Sequence, residues 1–213
     1  MNKLWSVLKK EKLLPVVTIQ DPEHAAGLAE ALLEGGISSM EITLRTEAAL
    51  EAIRSVAEQF PEMQLGAGTV LNGAQAEEAI AAGARFLVSP GFSKAVAEVC
   101  EKRAIAYIPG CVTATEIMEA LECKIRVLKF FPAKQSGGTE ALKTFAAVFP
   151  EAVFIPTGGI NSENVKQYLA QGNVLACGGS WLIQEGSVGR EGKSIVSEEI
   201  RKIQSEGRAR QEV

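Results

Sequence analysis

The sequence predicts an α/β fold, a (β/α)₈ TIM barrel carrying an extra N-terminal helix. Three observations predict it. Short apolar runs alternate with amphipathic helical runs along the whole chain. Eight such runs occur, starting every 20 to 27 residues. No linker-like or low-complexity segment interrupts them, so residues 1–213 are expected to form a single domain. A doubly wound open sheet is the alternative. It lacks support because no G-x-G-x-x-G follows the first strand, and a count of eight suits closure.

The opening stretch "MNKLWSVLKKEKLLPVV" is amphipathic at first, without a long apolar run or a small-residue cleavage site. It predicts a short helix and no signal peptide. The strands follow as "LLPVVTI" (13–19), "MEITL" (40–44), "QLGAG" (64–68), "FLVSP" (86–90), "AYIPG" (106–110), "RVLKFF" (126–131), "VFIPTGG" (153–159) and "VLACGG" (174–179). Helix starts are marked by Asp21-Pro22, Thr46, Asn72, Ser93, Thr113 and Asn161. Gly35-Gly36, Gly83 and Gly172 mark helix ends. In "HAAGLAEALLEGG", Ala25, Leu28, Ala29 and Leu32 keep helical spacing.

Bulk properties narrow the function. A hydrophobic fraction of 46% with 23% charged residues is that of a soluble globular protein. The net charge of −4 and the lack of a Lys/Arg stripe argue against a nucleic-acid partner. No apolar segment approaches membrane-spanning length. Cys100, Cys111, Cys123 and Cys177 are scattered with no C-x-x-C pair, which fits a reducing cytoplasm rather than disulfides or zinc. A metal-dependent aldolase or decarboxylase would need clustered His, Asp and Glu ligands. The single histidine, His24, falls on a helix and has no partner in sequence, so no metal and no cofactor are expected.

Chemistry in such a barrel belongs at the C-terminal strand ends. There, "CKIRVLKFFPAKQSGG" sets Lys129 between Leu128 and Phe130, and a lysine is rarely buried without compensation. Strand alternation puts Val127, Lys129 and Phe131 on one face, and Glu41, Thr43 and Arg45 on one face of "MEITLRT". Both polar faces converge on the barrel interior. Desolvation disfavours a charged ammonium, and a neutral amine condenses with a ketone to a Schiff base. Lys129 is therefore either a nucleophile or one half of a buried ion pair with Glu41. Glu41 and Arg45 by themselves read equally well as a local pair. Thr69 alone reads as a turn residue and Pro90 as a strand terminator. "PTGGI" and "GGS" close the seventh and eighth strands, where backbone amides commonly hold phosphate in this fold.

Taken in order, "EITLRT", "GAGTVL", "SPG", "IPG", "LKFFPA", "PTGGI" and "GGSWL" resemble the aldolases acting on 2-keto-3-deoxy-6-phosphogluconate (KDPG) and 4-hydroxy-2-oxoglutarate (KHG). The likeness runs from about Pro15 to Leu182. It implies a homotrimeric barrel with class I, Schiff-base chemistry and no metal. Lys129 is then the Schiff-base residue and Glu41 the general acid/base. Arg45 and Thr69 hold a pyruvate carboxylate. Pro90 and Phe131 line the pocket, and Gly158, Gly159, Gly179 and Ser180 form the phosphate loop. Many members carry a basic residue in the first strand, in a pattern like "V-A-V-L-R". Here Thr18 stands at that position, which implies a smaller preference for the phosphorylated substrate. A non-catalytic phosphometabolite-binding barrel would keep the glycine loops without needing Lys129 and Glu41 together.

Overall fold

The computed structural model describes residues 3–181 and 183. Leu182, the last residue of "GGSWL", and residues 184–213 of the expected single domain lie outside them. After helix α1 (Lys3–Glu11), strands and helices alternate: β1 (Leu13–Val17), α2 (Glu23–Glu34), β2 (Ser39–Thr43), α3 (Ala49–Gln59), β3 (Gln64–Gly68), α4 (Gly73–Ala81), β4 (Phe86–Val88), α5 (Lys94–Arg103), β5 (Ala106–Ile108), α6 (Ala114–Glu122), β6 (Val127–Phe130), α7 (Gly138–Val148), β7 (Val153–Pro156), α8 (Val165–Leu169) and β8 (Cys177–Gly179).

The strands are parallel. A continuous ladder runs β5-β4-β3-β2-β1-β8, and β6 pairs with β7. Isolated bridges join the two parts into a closed ring, Gly110↔Lys129 on one side and Phe154↔Val174 with Thr157↔Gly178 on the other.

Alternation along the strands sorts the side chains into two apolar clusters. Leu13, Met40, Ile42, Leu65, Leu87, Tyr107, Leu128, Phe130 and Phe154 pack outward under the helices, with Ala25, Leu28, Ala29 and Leu32 of α2 among their partners. Leu14, Phe86, Val88, Ile108, Ile155 and Ala176 fill the barrel, and Leu4 and Leu8 of α1 join them. The N-terminal helix is thus a plug in the barrel floor. Its last residue, Glu11, is buried and accepts hydrogen bonds from the Ser38 amide, the Ser38 hydroxyl and the Ser39 hydroxyl, each 2.7 Å long.

All eight expected strands form, several of them shorter at the C-terminal end. β4 and β5 stop before Ser89-Pro90 and Pro109-Gly110. Proline has no N–H to continue the ladder, so the chain turns there into the loops of the mouth. Asn72, Ser93 and Thr113 cap their helices by accepting from Gln75, Val96 and Glu116 amides. Helix α2 starts at Glu23, one residue later than expected, so Pro22 rather than Asp21 is its N-cap, although Asp21 still accepts from the Glu23 amide. Asn161 caps the turn before α8, accepting from the Glu163 and Asn164 amides. Thr46 does not cap α3. The helix begins three residues later, and the Thr46 hydroxyl donates to the Ile19 carbonyl, tying two mouth loops together.

Candidate active site

Both polar strand faces point into the barrel, near its C-terminal mouth. Lys129 is 7% exposed and Glu41 1%, and Lys129 Nζ lies 3.4 Å from Glu41 Oε1. The Lys129 backbone is held to the segment that follows β5: its amide donates to the Pro109 carbonyl, and its carbonyl accepts from the Cys111 amide, both at 2.8 Å. The Phe131 ring centre is 5.2 Å from Nζ, within cation–π range. Glu41 occupies space that only a glycine at position 68 leaves open. A Cβ on Gly68 would stand 2.0 Å from Glu41 Oε1. A carboxylate and an amine buried together need each other, since either one alone in this setting is an uncompensated charge.

Beyond the pair, Arg45 Nε donates to Thr69 Oγ1 at 3.2 Å, and no carboxylate pairs with Arg45 among the described residues. Thr69 has φ of 59°. A β-branched residue in the left-handed region is strained, and such strain concentrates at functional sites. Pro90 presents its carbonyl to Gly110, whose missing Cβ allows the approach. Gly110 in turn bridges to Lys129, so Pro90 borders the same wall. Gly158, with φ of 92°, packs against the Phe131 ring. The bridge Thr157↔Gly178 sets the loop at Gly158 and Gly159 beside the one at Gly179 and Ser180. Gly179 is covered by the Trp181 ring, and Ser180 is exposed at the mouth.

Every candidate catalytic or substrate-binding residue named from the sequence therefore lies at or beside the C-terminal mouth. Thr157, in "PTGGI", and Thr43, on the polar face of "MEITLRT", stood in the sequence patterns without a role of their own, and Gly66 and Gly68 were given none. Thr157 is 7% exposed, and its hydroxyl enters the space left by Gly178. Its place just after β7, inside the ring, was the available signal. Thr43, 1% exposed, shares a 2.8 Å hydrogen bond with Thr18. Thr18 accordingly faces Thr43, on the same strand face as Glu41. Gly66 and Gly68 give room to the Phe86 ring and to Glu41, a role legible only once the neighbours are known. His24 sits on α2, and among the described residues no three His, Cys, Asp or Glu side chains gather into a cluster suited to a metal ion.

Fold and site together define a (β/α)₈ barrel built around a buried amine and its carboxylate partner at the mouth. A family model described as KDPG and KHG aldolase matches residues 4–198. The chain is 45% identical over 188 residues to the "2-dehydro-3-deoxy-phosphogluconate aldolase" of Treponema pallidum, covering 88% of this chain and 90% of that protein. It is 43% identical over 178 residues to the "KHG/KDPG aldolase" of Escherichia coli K12, covering 84% of each. Among solved structures, the KDPG aldolase of Legionella pneumophila superposes with a TM-score of 0.88 at 40% identity, over 93% of this chain and 97% of that one. That crystal holds pyruvate captured as a covalent carbinolamine. The chain belongs to the KDPG and KHG aldolase family.

Proposed function

We propose that this chain is a class I aldolase that cleaves KDPG to pyruvate and glyceraldehyde 3-phosphate, and KHG to pyruvate and glyoxylate. The observation that carries the reading is the Lys129–Glu41 pair, buried at the mouth with 3.4 Å between nitrogen and oxygen.

Arg45, steadied by Thr69, receives the substrate carboxylate with charge-assisted hydrogen bonds and sets the C2 ketone beside Nζ. The neutral amine adds to C2, giving a carbinolamine. Loss of water leaves an iminium. Glu41 takes the proton of the C4 hydroxyl, directly or through one water. The C3–C4 bonding electrons pass into the iminium, forming an enamine, and the aldehyde leaves. Glu41 then returns a proton to C3, and water hydrolyses the iminium to release pyruvate and restore the amine. Pro90 and Phe131 wall the pocket. The amides around Gly158, Gly159, Gly179 and Ser180 face the distal end of the substrate, where glycine permits close backbone approach. The family resemblance further supports one barrel domain, a homotrimer and a cytoplasmic location. No helix among the described residues is long and apolar enough to cross a membrane.

Borohydride added with pyruvate tests the reading. Reduction of the iminium should inactivate the enzyme and leave a stable adduct on the peptide containing Lys129. An adduct on another lysine, or none, rejects it, and the absence of any adduct is what a non-catalytic binding barrel would give.

A further inference from the structure

A phosphorylated 2-keto acid carries an anion at each end, yet the mouth of this barrel offers few cations. Among the described residues, the loops that leave the C-terminal strand ends contain two basic side chains, Arg45 after β2 and Lys134 after β6. Arg45 is fixed beside Thr69 on the β2–β3 side. Lys134 stands on the other side of the ring, in the β6–α7 loop.

That loop is sewn to the loop after β7. The Ala133 amide donates to the Thr157 carbonyl at 2.8 Å, and the Lys134 amide to the Gly158 carbonyl at 3.1 Å. The Lys134 stem lies along Gly159. A Cβ built on Gly159 would stand 2.6 Å from Lys134 Cβ and 3.0 Å from its Cδ. Two more bonds, adding roughly 2.5 Å, separate that Cδ from the ammonium. The charge thus hangs over the edge of the glycine loop. Lys134 is exposed and forms no ion pair among the described residues. Its polar end is free to meet a ligand while its stem covers backbone. Just after β1, by contrast, stands Thr18, whose hydroxyl is engaged with Thr43.

We propose that Lys134 is the cation that receives the phosphate of the substrate, clamping it against the Gly158–Gly159 loop while Arg45 holds the carboxylate on the far side. Lys134 is then a specificity-determining residue, because it sees only the phosphorylated substrate. The assignment of the far end to a carboxylate rests on the aldolase reading above, whereas the anion site itself does not.

The test uses Lys134→Met, which keeps the stem and removes the charge, and Lys134→Arg, which keeps the charge. Binding of inorganic phosphate by calorimetry is the arm independent of catalysis. Wild type should bind phosphate, Lys134→Met roughly tenfold or more weakly, and Lys134→Arg close to wild type, as expected for one charge-assisted contact. In turnover, the ratio of kcat/KM for KDPG to that for its unphosphorylated counterpart should fall by a similar factor in Lys134→Met, mostly through KM. It should recover in Lys134→Arg. Added salt should narrow the gap between wild type and Lys134→Met. Equal phosphate binding by wild type and Lys134→Met, or an unchanged substrate ratio, overturns the proposal. Failure of pyruvate trapping at Lys129 would sink the aldolase reading and leave the phosphate-binding arm to decide the role of Lys134.

Discussion

At the residue scale, the site turns on where one carboxylate stands. Glu41 has Lys129 at 3.4 Å and a glycine behind it. Glu41→Gln keeps the shape and the hydrogen-bonding reach but cannot exchange the C4–O and C3 protons. We expect borohydride trapping of pyruvate at Lys129 to persist while turnover falls about 10²–10⁴-fold. Turnover within a few-fold of wild type would reduce Glu41 to a structural partner of Lys129. Gly68→Ala gives a sharper test of placement. The new methyl would demand the position of the Glu41 carboxyl, since it stands 2.0 Å from Oε1. Gly68 is not among the positive-φ glycines, so alanine fits the backbone there. We expect a folded protein with a comparable loss of turnover, read by steady-state kinetics beside a thermal melt. Near-normal activity would mean that Glu41 has another productive position. The contrast shows what was legible beforehand. Lys129 and Glu41 announce themselves, because a charge inside an apolar strand pattern demands an explanation. Gly68 and Lys134 do not. A glycine's missing side chain matters only against a neighbour far away in sequence, and a surface lysine looks like any other until its loop is seen to lie on another.

At the element scale, α1 behaves as part of the barrel interior. Leu4 and Leu8 close the floor, and Glu11 bolts the helix to Ser38 and Ser39, where β2 begins. The amphipathic run gave the helix, but the buried carboxylate at its end was not foreseeable, because its three donors come from Ser38 and Ser39 after an intervening strand and helix. Burial pushes the Glu11 carboxyl up from its ordinary value of 4.5, although the Ser38 and Ser39 donors and nearby Lys10 pull the other way. The consequence for stability has a definite sign. An acid whose folded-state pKa is raised binds its proton more tightly when folded. Its favourable contribution is complete below the unfolded value and disappears as pH rises through the folded value. Glu11→Gln can keep the network. Its oxygen accepts from both Ser38 donors, and its amide donates to Ser39 Oγ, which can turn towards the Leu13 carbonyl at 3.5 Å. Urea unfolding from acid to neutral pH should therefore show Glu11→Gln gaining on wild type as pH climbs above about 4.5, then holding a constant lead. A difference independent of pH would mean that Glu11 titrates alike in both states.

At the scale of the whole molecule, the barrel is closed but not evenly. Six strands share a continuous ladder, while β6 and β7 form a pair fastened to it at each side by isolated bridges. Periodicity foretold eight strands but could not foretell this, because each strand carries the same alternating pattern whichever neighbour it meets. The unevenness falls on the chemistry. On one side the bridge is Gly110↔Lys129, so the residue carrying the amine sits on a seam, while Glu41, Arg45 and Thr69 belong to the continuous part or its loops. Regions held by fewer backbone hydrogen bonds open at lower free energy than the global barrier. Native-state hydrogen exchange should therefore find the Lys129 and Cys111 amides, which cross the seam to Pro109 and Lys129, exchanging faster than the amides of β2 and β3. A pyruvate adduct fixed on Lys129 by reduction would reach across to Arg45 and Thr69 and stitch the two parts together. Exchange at the seam should then slow, while exchange within β2 and β3 changes little. Uniform protection around the ring before trapping, or no change at the seam after it, would mean that the bridges close the barrel as firmly as the ladder does, and that substrate finds the amine already rigidly placed.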